Sequence, residues 1–167
     1  GEGEAASFEE LSYEIYGPHG AAILAEISTD NRNRTAADIR AILTRNDGKM
    51  ATAGSVSRLF HRKGQIMIAR DSANEDELME LALEAGAEDF KAEDEGYEVL
   101  TAPEDFEAVH QAVETKEIAM ETAEITQLPE MTAPVSSEAE MEKVHKLVDL
   151  LEDHDDVQSV YTNAEMA

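Results

Sequence analysis

Apolar and polar residues alternate at the start of this chain. In FEELSYEIY (residues 8–16), Leu11, Tyr13 and Ile15 fall at every second position, the spacing of a half-buried strand. AAILAEIS (21–28) predicts a second strand, and Gly17-Pro18-His19-Gly20 a turn between the two. The period then lengthens. Ala36, Ile39, Ile42 and Leu43 make the stripe of a helix over 35–45, with Thr35 and Asp38 placed like a capping box and Asn46-Asp47-Gly48 as its stop. VSRLFH (56–61) reads as a further strand, and Lys63-Gly64 as a break.

A different order follows. QIMIA (65–69) predicts a strand, and 75–85 a helix with Leu78, Leu81, Ala82 and Ala85 on one side. Strands at 89–92 and 97–100 flank the acidic turn Glu93-Asp94-Glu95-Gly96. A helix over 103–113 carries Phe106, Val109 and Val113, with Pro103 in its first turn, and AEITQL (123–128) is a last strand. This is the β-α-β-β-α-β pattern of a ferredoxin-like domain, and each helix has the single apolar face such a sandwich needs.

After a loop at 129–134 come one helix (139–151) and one strand, VQSVY (157–161), which cannot bury their faces alone. Joined to the first segment they give β-β-α-β plus α-β. The expected fold class is therefore α+β, with two small ferredoxin-like-pattern α/β sandwich domains, one inserted into the other. Residues 1–63 plus 129–167 form the discontinuous domain and 64–128 the insert, since domain ends lie close together and tolerate insertion. One larger sheet with helices on one side is the rival arrangement.

Composition narrows the classes. The chain has 167 residues, 42% of them hydrophobic, enough to fold. It has no cysteine, which removes disulfides, thiol nucleophiles and thiolate metal sites. No apolar run approaches the ~18 residues of a membrane span, and no secretory leader opens the chain, so a cytoplasmic location without membrane contact is expected. The net charge of -25 opposes tight non-specific binding to nucleic acid. It is unevenly spread. Residues 1–63 hold nine acidic and eight basic residues, and 64–167 hold twenty-nine and five.

Candidate chemistry is sparse. The histidines His19, His61, His110, His145 and His154 show no metal-ligand spacing. His145 and Asp149 suit an exposed pair one helical turn apart, and His19 suits turn decoration. Glu152-Asp153-His154-Asp155-Asp156 lacks the spacing and central glycine of a calcium loop and reads as a helix end. The glycines fit neither phosphate-binding fingerprint, and no serine sits in a nucleophile elbow. No enzyme activity, cofactor or metal is expected.

The basic residues stand out instead. Arg32, Arg34, Arg40, Arg45, Lys49, Arg58, Arg62 and Lys63 are eight of the thirteen in the chain. Arg32 and Arg34 flank a predicted helix start, where the dipole disfavours cations, and the free N–H groups there favour an anion. Three partners fit: carboxylates of the acidic insert, which would clamp the two domains; phosphates of RNA or DNA; or carboxylates of another protein. Arg32 and Arg34 are expected at the surface, with Arg58 or Arg62 extending one basic patch. Arg40 and Arg45 are roughly 140° apart on a helix and form no single groove-reading stripe.

YEIYGPHGAAILAEISTDNRNRTAADIR (13–40), GSVSRLFHRKGQI (54–66), ALEAGAEDF (82–90), TAPEDFEAV (101–109) and LLEDHDDVQSVYTNAEM (150–166) follow in order over nearly the whole chain. Together they resemble the YebC/PmpR family of transcriptional regulators and translational activators. The resemblance covers that family's second and third domains and implies that the third is inserted into the second. GEGEAASFEE (1–10) is similar to the family's segment just after its first domain, so that domain, basic and helical, is expected to be absent. His19 replaces the family's usual Gly, and Lys49-Met50-Ala51 departs from its Gly-Asn-Leu-like run, which leaves the turn a poorer ligand seat. The resemblance implies a non-enzymatic regulator of gene expression that meets the ribosome or RNA and assists translation. DNA-binding regulation of transcription is the alternative. In either case the missing basic domain supplies most of the attraction.

Overall fold

A computed structural model describes residues 7–167. The elements run β1 (Glu9–Tyr16), β2 (Ala22–Thr29), α1 (Arg32–Arg45), β3 (Lys49–Met50), β4 (Phe60–Ala69) and α2 (Glu75–Ala85). Then come β5 (Asp89–Ala92), β6 (Gly96–Thr101), α3 (Phe106–Thr115) and β7 (Thr122–Pro129). The last four are β8 (Ala133–Val135), α4 (Glu138–Glu152), β9 (Val157–Thr162) and β10 (Ala164–Met166). The fold is α+β, with two compact units: residues up to Phe60 together with Pro129–Ala167, and His61–Leu128.

In the first unit β1 and β2 form an antiparallel hairpin, Glu9 opposite Thr29 and Tyr16 opposite Ala22. A single 3-10 turn, Pro18–Gly20, joins them, and there His19 takes a left-handed φ of 60°. That conformation strains any side chain but glycine. The sheet order is β3-β1-β2-β9. β9 runs antiparallel to β2, with a slip in register at Glu26 and Ile27 where Gln158 is left over as a bulge.

Both faces of this sheet are covered. Ile15, Ile23, Ala25 and Ile27 pack under Ile39 and Leu43 of α1 and Leu147 and Leu151 of α4. On the opposite face Ala22 and Leu24 lie under Val56 and Phe60, flanked by Tyr16 and Tyr161. Two-sided burial explains why Ala22, Ile23, Leu24 and Ala25 are an unbroken apolar run instead of an alternating one. α4 is capped by Ser137, which accepts from the Glu140 N–H at 3.2 Å, while the Glu140 carboxylate takes the hydroxyl of the preceding Ser136 at 2.8 Å.

The second unit has the sheet order β5-β6-β4-β7. β6 is antiparallel to both β4 and β5. Ile66, Ile68, Tyr97 and Val99 from the sheet meet Leu78 and Ala82 of α2 and Val109 and Val113 of α3 in one core. Asn74 caps α2 by accepting from the Glu77 N–H, and Gly86 ends it at φ 120°.

Four local readings need correction. α1 starts at Arg32, capped by Asn31, so Thr35 lies inside the helix and is buried. Residues 56–59 form no strand; Ser57–Leu59 is a 3-10 turn, and the strand begins at Phe60. Lys63-Gly64 is no break either. β4 runs straight through it, with Gly64 paired to Thr101 of β6, and Thr101 and Phe106 pack so close to Gly64 that a Cβ would collide with both. The loop at 129–134 gives way to β8, which pairs in parallel with β10.

Candidate nucleic-acid or partner interface

The DNRNRT block folds around one carboxylate. Asn31 closes the N-terminus of α1 by accepting from the Arg34 N–H at 3.0 Å. The helix then turns Arg34 and Thr35 toward Asp156, the residue before β9. Thr35 Oγ1 donates to Asp156 Oδ2 at 2.7 Å, and Arg34 Nη2 donates to the same oxygen at 3.0 Å. The Thr29 hydroxyl lies 3.3 Å from that oxygen and 2.7 Å from the Thr35 hydroxyl. Asp156 is only 8% exposed, yet every buried side-chain polar atom among the described residues has a partner. The Thr35 hydroxyl, with the Arg34 guanidinium, holds its pKa below the usual carboxylate range against the opposing effect of burial.

His154 extends the network. Its Nδ1 accepts the Asp156 N–H at 3.1 Å, which leaves the proton of the neutral ring on Nε2, 2.8 Å from Asp38 Oδ2. The chain therefore ties the first turn of α1, mid-helix Asp38 and the entry to β9 into one polar cluster. Asp38, expected to cap the helix with Thr35, serves His154 instead.

A second carboxylate, overlooked in the sequence, organises the other face. Glu14 on β1 accepts from the N–H groups of Gly54, Val56 and Ser57 at 2.8, 2.9 and 2.7 Å. Burial raises its pKa, but these donors outweigh that and leave it lowered. It thereby fixes the segment that brings Val56 and Phe60 onto the sheet. Asn163 acts similarly at the edge of β2, accepting from Ala22 N–H at 2.8 Å and donating to the Met131 carbonyl at 3.1 Å. No sequence spacing marks Glu14, Asp156 or Asn163, because their partners are distant in the chain.

The eight basic candidates have separate fates. Arg32 is exposed and meets Glu9 at 3.4 Å; Arg34 takes Asp30 at 3.2 Å besides Asp156. These partners belong to the first unit and not to the acidic insert, one of the three partners that fit the sequence. Lys63 meets Glu88 at 2.7 Å, inside the second unit. Arg40, Arg45, Lys49, Arg58 and Arg62 are exposed and make no ion pair among the described residues. α1 covers one face of the first sheet while Arg58 belongs to the segment on the opposite face, and Arg62 belongs to the second unit. His145 and Asp149 make no ion pair, and His19 approaches Glu140 at 3.9 Å. Among the described residues no group of His, Asp or Glu is arranged to hold a metal, and no helix is long and apolar enough to cross a membrane.

A family model described as the second and third domain of TACO1/YebC matches residues 8–164. The chain belongs to this family. A probable transcriptional regulatory protein of Carboxydothermus hydrogenoformans is 52% identical over 169 residues, covering 99% of this chain and 69% of its own length. One of Syntrophobacter fumaroxidans is 49% identical over 163 residues, covering 98% and 66%. The crystal structure of a conserved hypothetical protein from Aquifex aeolicus matches with a TM-score of 0.79 at 40% identity, covering 98% of this chain and 68% of that one. The chain thus spans about two thirds of the length of these relatives. The TACO1/YebC family is one of regulatory proteins and not of enzymes. Its members' names point to transcription, the alternative in the sequence reading, above the translation role placed first there.

Proposed function

We propose that this chain is part of a regulator of gene expression that acts on transcription and contacts DNA, with its two units orienting the protein and not anchoring it. The observation that carries this is the division of the basic residues. Arg34 is committed to Asp156, whereas Arg40, Arg45, Lys49, Arg58 and Arg62 are exposed and make no ion pair among the described residues. Few exposed cations on a chain of net charge -25 release few counterions and favour weak contact with a shallow salt dependence. The family resemblance assigns the main attraction to a separate basic domain.

The strand order β5-β6-β4-β7, with both helices on one core, supports a ferredoxin-like unit at 61–128. The chain leaves the first unit at Phe60 and re-enters it at Pro129, as an insertion requires.

The test is a fluorescence titration of labelled duplex DNA and of a ribosomal RNA hairpin. This chain and the longer Carboxydothermus relative would be compared at low and near-physiological salt. The expected result is weak duplex binding by this chain and tighter duplex binding by the relative. A relative that prefers the RNA hairpin by about tenfold, ~1.4 kcal/mol, would move the role to translation. Submicromolar duplex binding by this chain alone would show that its exposed cations do anchor.

A further inference from the structure

We propose that the side of α2 is a docking surface for a basic polypeptide segment carrying apolar anchors. The second unit holds nineteen acidic residues and five basic ones, and α2 itself has five acidic residues and no basic one. An open groove of about 610 Å³ runs between α2 and the connection after α3. Leu81 and Ile118, each partly exposed, give it an apolar floor, and Asp76, Glu77, Glu80 and Glu84 line its α2 side. Lys116 is the one cation of the lining, and it pairs with none of these carboxylates.

The arrangement is unfavourable without a partner. Asp76 with Glu80, and Glu80 with Glu84, are like charges one turn apart, and such pairs destabilise a helix. Glu75, Asp76 and Glu77 in the first turn suit the dipole, but Glu84 lies in the last turn, where the dipole disfavours an anion. On the other flank of the acidic stripe, Met79 and Leu83 are 38% and 47% exposed. An acidic stripe with apolar residues on both sides is complementary to a cationic stripe with apolar neighbours. A free metal ion or polyamine would use the carboxylates and leave the floor uncovered. A nucleic acid would be repelled.

Fluorescence anisotropy with the full chain tests this. The probe is a labelled helical peptide with leucines on one face and lysines elsewhere. One comparison peptide has serine in place of leucine, and another glutamate in place of lysine. The leucine–lysine peptide should bind about tenfold or more tighter than the serine–lysine one, and the glutamate peptide should not bind. The double change Glu80→Gln, Glu84→Gln should weaken binding severalfold. Glu93→Gln with Asp94→Asn, which removes the same charge from the β5–β6 turn, should not. Circular dichroism confirms that both variants fold. Equal loss from the two variants, or equal binding of the two lysine peptides, overturns the proposal in favour of diffuse attraction. Absence of micromolar binding overturns it outright. So does displacement by magnesium far beyond that caused by potassium at equal ionic strength, which would mark a cation site.

Discussion

Thr35 and Asp156 stand 121 positions apart in the chain and are joined by a 2.7 Å hydrogen bond, with Arg34 on the same carboxylate oxygen. This contact is why Arg34 sits in the first turn of a helix whose dipole opposes it. Asn31 supplies the cap, Thr35 the buried donor and Arg34 the countercharge. Thr35→Val keeps the shape and removes the donor, leaving a largely buried carboxylate short of a partner. The expected loss is about 1–3 kcal/mol in urea unfolding, while Thr35→Ser should stay close to the parent. Equal stability of the valine and serine variants would show that the hydroxyl is dispensable.

Arg32 and Arg34 should part company. Arg34 bridges Asp30 and Asp156, whereas Arg32 reaches only the exposed Glu9. Arg34→Ala is expected to lower the urea midpoint, and Arg32→Ala to leave it within scatter, as for most exposed single pairs. Midpoints that fall together in both variants would contradict the division drawn here.

The Asp156 network predicts a pH dependence. A carboxylate whose folded pKa lies below its unfolded value of about 3.9 adds stability that is complete above that value. The contribution disappears as pH falls through the folded pKa. Asp156 is of this kind, and Glu14 behaves likewise relative to the higher unfolded value of a glutamate, about 4.3. Asp156→Asn should therefore be less stable than the parent at neutral pH, and the gap should close as pH drops below about 4. Denaturant midpoints from neutral to acid pH read this directly. A gap constant with pH would mean that the charge of Asp156 contributes nothing.

Glu14→Gln keeps one acceptor oxygen and loses the charge that gathers three N–H groups. The site is partly exposed, so screening keeps the expected cost near the low end, about 1 kcal/mol. The local effect is sharper. Hydrogen exchange at Gly54, Val56 and Ser57 should accelerate more than at the β1–β2 ladder. Uniform acceleration throughout the unit would indicate global loosening instead.

Glu80→Gln with Glu84→Gln should slightly stabilise the chain in the absence of any partner, by roughly 0.5 kcal/mol or less for each like-charge pair relieved. A thermal melt at low salt measures it, and the gain should shrink as salt is added. Lower stability would mean that these carboxylates have structural partners.

The sequence by itself determined the kinds of element and most of their faces. The alternation at Leu11, Tyr13 and Ile15, the stripe through Ile39 and Leu43, and the single apolar faces of α2 and α3 are periodic, and periodicity depends on near neighbours alone. Tertiary structure decided where elements begin and what the polar residues are for. Asn31 and Thr35 are both competent helix caps, and the choice between them turns on Thr35 being claimed by Asp156, which no local rule can see. Lys63-Gly64 has the composition of a break, yet the chain stays extended there because Gly64 pairs with Thr101 of β6, and the glycine is there because only glycine fits beneath Thr101 and Phe106. Cap and turn preferences differ by about 1 kcal/mol or less. A buried hydrogen bond or a close packing contact outweighs them, so the candidate site became legible only once residues far apart in the chain met.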